Sequence, residues 1–566
     1  MGIESLHEDI FRNINEFVPI DALFMVNKFF HAMKGCIHFY KLSKMYSAMY
    51  YTSNLFRENV KKRLRSISTQ LQLDLSHRSD IDDTTVLEGV HTLHLSRCDR
   101  VVDVSAFKDA HTLSLFYCHG IKDVNDLVGL HTLNLTGCSN ITDANALGSV
   151  HNLSLFNCKK LVDVSALGNV RTLNLSSCDQ FTDVSALGRV HTLNLSCCHG
   201  VADVSALGGV HTLNLSYCKN VTDVSALGGV HNLNLSECYN ITDVRSLGGV
   251  NTLNLSYCNR VIDVSSLGGV RNLNLTGCKN VRDVSTLGLV YSLNLSSCCK
   301  VIDVNALWGV HTLNLSFCRG VTDVSALGGV HNLKLSCCDR IFDVSALKSN
   351  HFLDLSGCHR VTDVSALGNV HTLDLSGCHQ VTDVSALGGV HTLNLSRCKS
   401  VVDVSALGAV NTLNLSCCDK IVDVSTLGRV HHLDLSRCEK LIDVCALGGV
   451  HTLNLSHCKK VVDVSTLGGV YMLDLSFCNN ILDVSALGRV HYLDLSCCEK
   501  LADVSALGGV HTLNLSCCKN VVDVSALGGV YHLDLSHCEK LVDISVLKGV
   551  HTLKLSHYKN TADANT

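Results

Sequence analysis

Histidine, cysteine and aspartate, three residue types that could bind metals or take part in catalysis, each recur every 20 residues along this 566-residue chain. We call each such series of equivalent residues a column. We number each unit from its first residue, so that in the unit 211–230 histidine stands at position 1, cysteine at position 8 and aspartate at position 13. Imidazole and thiolate groups bind transition metals, and imidazole or carboxylate groups can transfer protons. Each column is therefore a candidate metal or catalytic site. How regularly the residue recurs indicates whether its role is chemical or structural.

The histidine column is interrupted by residues that cannot bind a metal. Histidine fills position 1 in 17 of the 24 units from His91 to His551. Imidazoles stacked at the spacing of β-strands, about 5 Å, could bind a metal or titrate near neutral pH. Arg171 and Arg271 stand in the same column without a compensating ligand. We therefore predict no metal site and no cofactor, and we expect the column to pack along the edge of the strands.

The cysteine and aspartate columns are too regular for catalysis. Cysteine fills position 8 from Cys98 to Cys538, and aspartate fills position 13 from Asp103 to Asp563. Stacked cysteines with parallel Cβ vectors are poorly placed for disulfides, which predicts a ladder of buried, reduced thiols. Aspartate can cap the exposed N–H groups of a turn. No Ser/His/Asp arrangement, phosphate loop or carboxylate pair stands apart from the repeat, so we predict that the protein is not an enzyme.

The 20-residue unit also predicts the elements that carry these columns. Positions 2 to 6, Thr-Leu-Asn-Leu-Ser in the unit 211–230, alternate polar and apolar residues as a half-buried strand does. The remaining stretch is too short for an α-helix with two loops, so we expect Asp-Val-Ser-Ala-Leu-Gly-Gly to form a 3₁₀ turn. One unit cannot bury its own apolar residues, so the 24 full units, 71–550, and a partial unit, 551–566, must share a core.

Read from position 20, the unit has the pattern V-x-x-L-x-L-x-x-C-x-x-V, which resembles the leucine-rich repeat. The resemblance covers residues 71–566, about seven-eighths of the chain. It implies an α/β solenoid with a parallel β-sheet on the concave face and short 3₁₀ or turn segments on the convex face.

The residues before the repeats are predicted to be helical. We divide them into a small helical domain, 1–45, and a linker helix, 46–70. In the linker, Phe56, Val60 and Leu64 recur at i, i+4 and i+8, which predicts an apolar stripe that packs on the first repeat. The basic residues of the same linker also fit a nuclear-localisation signal.

Leu6, Ile14, Phe17, Val18, Pro19 and Leu23 are spaced as in the pattern L-P-x-E-x-x-x-x-I-x-x-[YF]-L-P-x-x-x-L. This is roughly the motif of the F-box, which the segment 1–45 therefore resembles. His7 stands where that family usually has proline. In F-box proteins this domain docks on the Skp-type adaptor of a cullin–RING ubiquitin ligase, and leucine-rich repeats hold the substrate. The resemblance assigns adaptor binding to Leu6, Glu8, Ile10, Ile14, Phe17, Val18, Pro19 and Leu23.

The combination is similar to the F-box and leucine-rich-repeat proteins encoded by giant DNA viruses of protists. It implies a substrate-recruiting adaptor of an SCF-type ubiquitin ligase, with a client protein on the repeats and no chemistry in this chain. The alternative is a ubiquitin-independent interaction scaffold whose N-terminal helices only cap the solenoid. A secreted adhesion protein of the internalin type is disfavoured, because we find no signal peptide and the thiols are abundant.

Composition narrows the partners and the compartment. The net charge of −5 is small for the length, which argues against nucleic acid and membrane surfaces as partners. No apolar run approaches the ~18 residues that a transmembrane helix needs. We therefore expect a cytoplasmic protein, with the nucleus as the alternative.

Specificity for a client should come from positions where the repeats differ, because the other polar positions of the strands are nearly constant. Positions 6 and 7 contain aromatic residues of the kind that anchor protein interfaces. Neutral variation of exposed positions would explain the same differences, and aspartates at position 4 of the later units offer a second, acidic surface. The predicted client-binding residues are Phe116, Tyr117, Phe156, Tyr217, Glu237, Tyr257 and Phe317.

Overall fold

The computed structural model describes residues 39–67 and 70–556. They divide into an N-terminal unit that ends at Leu273 and a C-terminal unit that begins at Asn274. All eight residues assigned to adaptor binding lie outside the described residues. Within the described ranges, no helix combines the length and the hydropathy that crossing a membrane requires.

The N-terminal unit begins with a strand and two helices that precede the repeats. Strand β1 (Phe39–Lys41) pairs in parallel with β2 (Gln70–Asp74), so this part of the chain belongs to the sheet of the repeats. Helix α1 (Lys44–Thr52) follows β1, and α2 (Asn54–Ile67) follows α1 after a single residue. These elements, residues 39–67, are called the N-terminal cap below.

The cap is held against the first repeat by hydrogen bonds and burial. The Ser47 Oγ on α1 accepts a hydrogen bond from the N–H of Asp74 at 3.1 Å. Tyr51 Oη accepts one from the N–H of Asp82 at 3.2 Å. The side chain of Tyr50 on α1 is buried, so α1 covers the end of the core that the first repeat would otherwise expose.

Each later repeat of the N-terminal unit contributes one short strand. Neighbouring strands pair in parallel one repeat apart, with Leu213 opposite Leu233. This register places equal positions of successive repeats side by side. Strands β3 to β11 are Thr92–His94, Thr112–Ser114, Thr132–Asn134, Asn152–Ser154, Thr172–Asn174, Thr192–Asn194, Thr212–Asn214, Asn232–Asn234 and Thr252–Asn254, and β12 is Asn272–Asn274.

The C-terminal unit repeats the same arrangement. Its strands are also parallel and in register, with Leu473 opposite Leu493. Strands β13 to β26 are Ser292–Asn294, Thr312–Asn314, Asn332–Lys334, Phe352–Asp354, Thr372–Asp374, Thr392–Asn394, Thr412–Asn414, His432–Asp434, Thr452–Asn454, Met472–Asp474, Tyr492–Asp494, Thr512–Asn514, His532–Asp534 and Thr552–Lys554.

The strands are shorter than the five residues that the alternating pattern predicts. Each regular strand covers positions 2 to 4, as in Thr212–Asn214. The Asn214 Oδ1 accepts a hydrogen bond from the N–H of Ser216 at 3.0 Å, which turns the chain at position 6. Positions 5 and 6 therefore belong to a turn, although the N–H of Leu215 still donates to the carbonyl of Asn234.

A 3₁₀ turn returns the chain to the next strand in most repeats. It covers positions 15 to 19, as in Ser205–Gly209. The Asp203 Oδ1 accepts a hydrogen bond from the N–H of Ser205 at 2.9 Å, and hydrogen bonding to Ser205 lowers the pKa of that carboxyl group. The aspartate column therefore organises the turn, as the spacing predicts.

The core consists of the apolar positions and the cysteine column. In the unit 211–230, Leu213, Leu215 and Cys218 are almost completely buried. The Cys218 thiol donates to the carbonyl of Leu195 in the preceding repeat at 3.1 Å, and burial raises its pKa to about 12. All cysteines that the structure describes are free thiols.

Candidate protein-binding surface

Position 7 forms a surface because its backbone is left-handed. The φ angles of Tyr217, Tyr257 and Phe317 are 62°, 61° and 62°. The N–H of Tyr217 donates to the carbonyl of Ser236 in the next repeat at 2.9 Å, which holds the turn in place. Side chains of this column therefore leave equivalent turns, and neighbouring ones stand one repeat apart.

Three tyrosines and one glutamate of the N-terminal unit form what we call the tyrosine cluster: Tyr217, Glu237, Tyr239 and Tyr257. Tyr217, Glu237 and Tyr257 fill position 7 of consecutive repeats, and Tyr239 follows Glu237 by two residues. The Tyr239 hydroxyl donates to the Glu237 carboxylate. The three tyrosine side chains are 41%, 37% and 45% exposed, so the cluster presents aromatic rings around one negative charge.

Glu237 acts on the hydroxyl groups of two tyrosines of the cluster, Tyr217 and Tyr239. Hydrogen bonding to Glu237 raises the pKa of Tyr239 to about 12 and raises the pKa of Tyr217 as well. Glu237 therefore favours the protonated, hydrogen-bond-donating form of both phenols. Sequence reasoning missed Tyr239, because position 9 follows the turn and its alignment with Glu237 depends on the left-handed residue at position 7.

The predicted residues nearer the N-terminus are less available. The rings of Phe116 and Tyr117 meet edge to face with centroids 4.6 Å apart, and both side chains are half-buried. Tyr117 lies over Gly137, where an added Cβ would come within 2.9 Å of the ring. Phe156, also half-buried, stands in the column of Phe116 two repeats later. These rings mainly cover the turns beneath them.

The C-terminal unit contains the last predicted residue and a cleft that the sequence did not suggest. Phe317 is 47% exposed. Side chains at positions 7 and 9 line a cleft of about 580 Å³, in which Lys399 pairs with Asp419 at 3.9 Å. The sequence contained one signal for this cleft: arginine stands at position 7 in two repeats that are separated by one other repeat. The lining residues are His379, Arg397, Lys399, Cys417, Asp419, Arg437, Glu439, His457 and Lys459.

The acidic surface that position 4 offers in the later repeats is largely engaged in the sheet. The Asp374 Oδ1 accepts a hydrogen bond from the N–H of Ser376 at 2.7 Å. Its Oδ2 accepts one from Asn394 Nδ2 at 3.0 Å. Asp354 and Asp374 are half-buried. Because these carboxylates already have partners, they offer less to a client than the tyrosine cluster does.

Position 1 forms a column of stacked rings. The ring centroids of His311, His331 and His351 are 4.8 Å apart in succession. His311 Nδ1 lies 3.3 Å from Thr312 Oγ1, which fixes the ring against its own strand. Desolvation, and then the adjacent imidazoles, lower the pKa of His371 in the same column. The column packs along the strand edge, as the sequence predicts.

Comparison with solved structures supports the repeat interpretation. The crystal structure of the mouse RP105/MD-1 complex matches with a TM-score of 0.51 and 19% sequence identity, over 82% of this chain and 90% of that chain. The fold is a leucine-rich-repeat solenoid. No protein-family model and no curated protein matches this leucine-rich-repeat chain.

Two bacterial structures match with lower TM-scores. The functional domain of InlJ from Listeria monocytogenes, which includes a cysteine ladder, is 16% identical with a TM-score of 0.28, over 73% of this chain and 74% of that chain. The leucine-rich-repeat protein LIC12759 of Leptospira interrogans is 16% identical with a TM-score of 0.33, over 70% of this chain and 91% of that chain.

Proposed function

We propose that the protein is a leucine-rich-repeat scaffold that recruits a client protein through the tyrosine cluster. The observation that carries this proposal is the grouping of three exposed tyrosines around Glu237 on an otherwise uniform array. Tyrosine is enriched at interface hot spots and supplies a large contact area at a low cost in conformational entropy.

The chemistry of the cluster favours a basic segment of the client. Tyr217 and Tyr257 stand two repeats apart, about 10 Å, with Glu237 in the repeat between them. A lysine or arginine side chain between the two rings would face the carboxylate and could also contact the aromatic faces. The net charge of the whole protein, −5, is small, so its long-range field would not oppose such a local interaction.

Replacing Tyr217, Tyr239 and Tyr257 together by serine should weaken client binding at least tenfold. The change removes the aromatic anchors without touching the buried core, so the fold should persist. We would measure the affinity of purified clients, first identified with the wild-type chain, by calorimetry. Phe477→Ser is the matched control, because Phe477 is an exposed position-7 ring outside the cluster. Equal losses in both variants would contradict the assignment.

In the finer form of the proposal, the client is delivered to a cullin–RING ubiquitin ligase. The F-box resemblance of residues 1–45 supports this role. The N-terminal cap adds support, because residue 39 already belongs to the sheet. A Skp-type adaptor bound to the preceding segment would therefore be attached to the repeats without a long linker. Such a role places the protein in the cytoplasm, where buried thiols remain reduced.

Changing Phe17 and Leu23 together to aspartate should abolish binding to the Skp-type adaptor and leave client affinity unchanged. Charges at these motif positions would oppose burial in an apolar interface. Binding of the full-length protein to the purified adaptor and cullin can be measured by pull-down. Leu55→Asp is the control, since Leu55 is 75% exposed on α2.

Failure of the wild-type protein to bind the adaptor at micromolar concentration would favour the alternative, a scaffold without a link to ubiquitin. That alternative has its own support, because the cap buries Tyr50 and closes the repeat core. The tyrosine cluster would then recruit its client to a different assembly.

A further inference from the structure

Three histidines of the C-terminal unit converge at one point of the strand edge. Position 2 is threonine in most repeats, but the unit 431–450 has His432 there. The ring centroids of His431 and His432 lie 4.3 Å apart, with an angle of 70° between the ring planes. Those of His431 and His451 lie 4.5 Å apart, and the two rings are stacked at 10°. The potential ligand nitrogens of all three lie within 4.8 Å of one another, and all three side chains are exposed.

We propose that His431, His432 and His451 bind one divalent transition-metal ion of the zinc, nickel and copper group. Imidazole is a preferred ligand of these ions, at metal–nitrogen distances of about 2.0–2.1 Å. Nitrogens bound to one ion would have to lie closer together than 4.8 Å, and small rotations of exposed rings can achieve this. Three protein ligands leave a coordination position open to solvent or to a partner.

Stacked histidines elsewhere in the column lack this convergence. Parallel rings direct equivalent nitrogens along parallel lines, so two neighbours such as His311 and His331, whose ring planes differ by 9°, do not aim at one point. His432 lies across the stack and supplies a nitrogen from a second direction. His451 Nδ1 lies 3.2 Å from Thr452 Oγ1, an arrangement that leaves Nε2 available to a metal.

The same unit contains a natural near-copy of the site. Tyr531, His532 and His551 repeat this ring geometry. The ring centroids of Tyr531 and His532 lie 4.6 Å apart with their planes at 90°, and those of Tyr531 and His551 lie 4.4 Å apart with their planes at 19°. His532 and His551 are 6.1 Å apart at 71°, against 6.1 Å and 77° for His432 and His451. A neutral phenol is a poor ligand, so this copy lacks one donor.

The test is titration of the full-length protein, without a histidine tag, with Ni²⁺ by calorimetry. We expect one strong equivalent in the wild-type protein and at least a tenfold loss of affinity in His432→Thr, which restores the usual residue. His331→Asn is the control, because asparagine already occurs in this column at Asn251. The nickel affinity of this variant should equal that of the wild-type protein. Tyr531→His should add a second equivalent.

The ligand type can be verified with Co²⁺. Histidine ligation should give visible d–d bands without the near-ultraviolet charge-transfer band that a thiolate produces. Nickel affinity unchanged by His432→Thr, no binding below millimolar Ni²⁺, or a thiolate band that survives in His432→Thr would each overturn the proposal.

Discussion

Raising the pH from 8 to 10 should strongly destabilise the protein. The buried thiols stay protonated in the folded protein, whereas at pH 10 they lose their protons once the chain unfolds. Burial raises the pKa of Cys218 and of Cys338 from 9.0 to about 12. A group whose pKa is higher in the folded state contributes its stability below pH 9 and loses it as the pH rises toward 12. Each such thiol should cost about 1.4 kcal/mol of unfolding free energy at pH 10.

The effect is large because the column from Cys98 to Cys538 consists of thiols exposed by no more than 1%. Urea unfolding followed by circular dichroism at pH 8 and pH 10 would measure it. The control variant replaces every described cysteine outside the column by serine and should keep most of the pH dependence, losing chiefly the contribution of Cys497, whose pKa burial raises to about 11. A midpoint equal at both pH values would contradict the buried ladder. The replaced residues are Cys197, Cys299, Cys337, Cys417, Cys445, Cys497 and Cys517.

Gly328→Ala should destabilise the protein by about 2 kcal/mol or more, in the range typical of overpacked cores. Gly328 is at position 18, in a 3₁₀ turn of the C-terminal unit. A Cβ there would lie 2.3 Å from the carbonyl oxygen of Ala346 in the next repeat. That atom belongs to the backbone and cannot move without disturbing the stacking of the turns.

The neighbouring residue provides the matched control for this substitution. A Cβ on Gly329 would meet its nearest atom, the carbonyl oxygen of Trp308, at an ordinary 3.5 Å. Gly329→Ala should therefore be neutral, or stabilising by a few tenths of a kcal/mol, through the lower entropy of the unfolded chain. Urea midpoints of the two variants compare them directly. Trp308 and Lys348 already occupy position 18 of the two flanking repeats, so equal midpoints would show that the turn of Gly328 accepts a side chain as those turns do.

The period of the sequence was sufficient to predict most of the repeat. Alternation at positions 2 to 6 predicted a strand with Leu213 and Leu215 inside; both are buried, although the strand itself ends at position 4. The short return segment predicted a 3₁₀ turn, which Ser205–Gly209 forms. These features could be predicted because every repeat carries the same signal, so tertiary contacts and local preference agree.

Features that depend on a single residue were harder to predict. The left-handed turn at Tyr217 has no signal in its own repeat, although Gly137 and Gly357 in the same column pointed to a positive φ. Pairing of Phe39–Lys41 with the sheet involves a segment without the repeat pattern. The approach of His432 to His451 depends on the direction of rings on adjacent strands, which spacing along the chain does not contain.

The identical register of successive strands also affects how such a gene can change. Leu213 faces Leu233 as Leu233 faces Leu253, so loss or duplication of a whole repeat restores every ladder contact across the new junction. Whole repeats can therefore be gained or lost without a new packing arrangement in the core. Each added repeat between the cap and the tyrosine cluster would move them apart by about 4.8 Å, so copy number adjusts the reach of the protein.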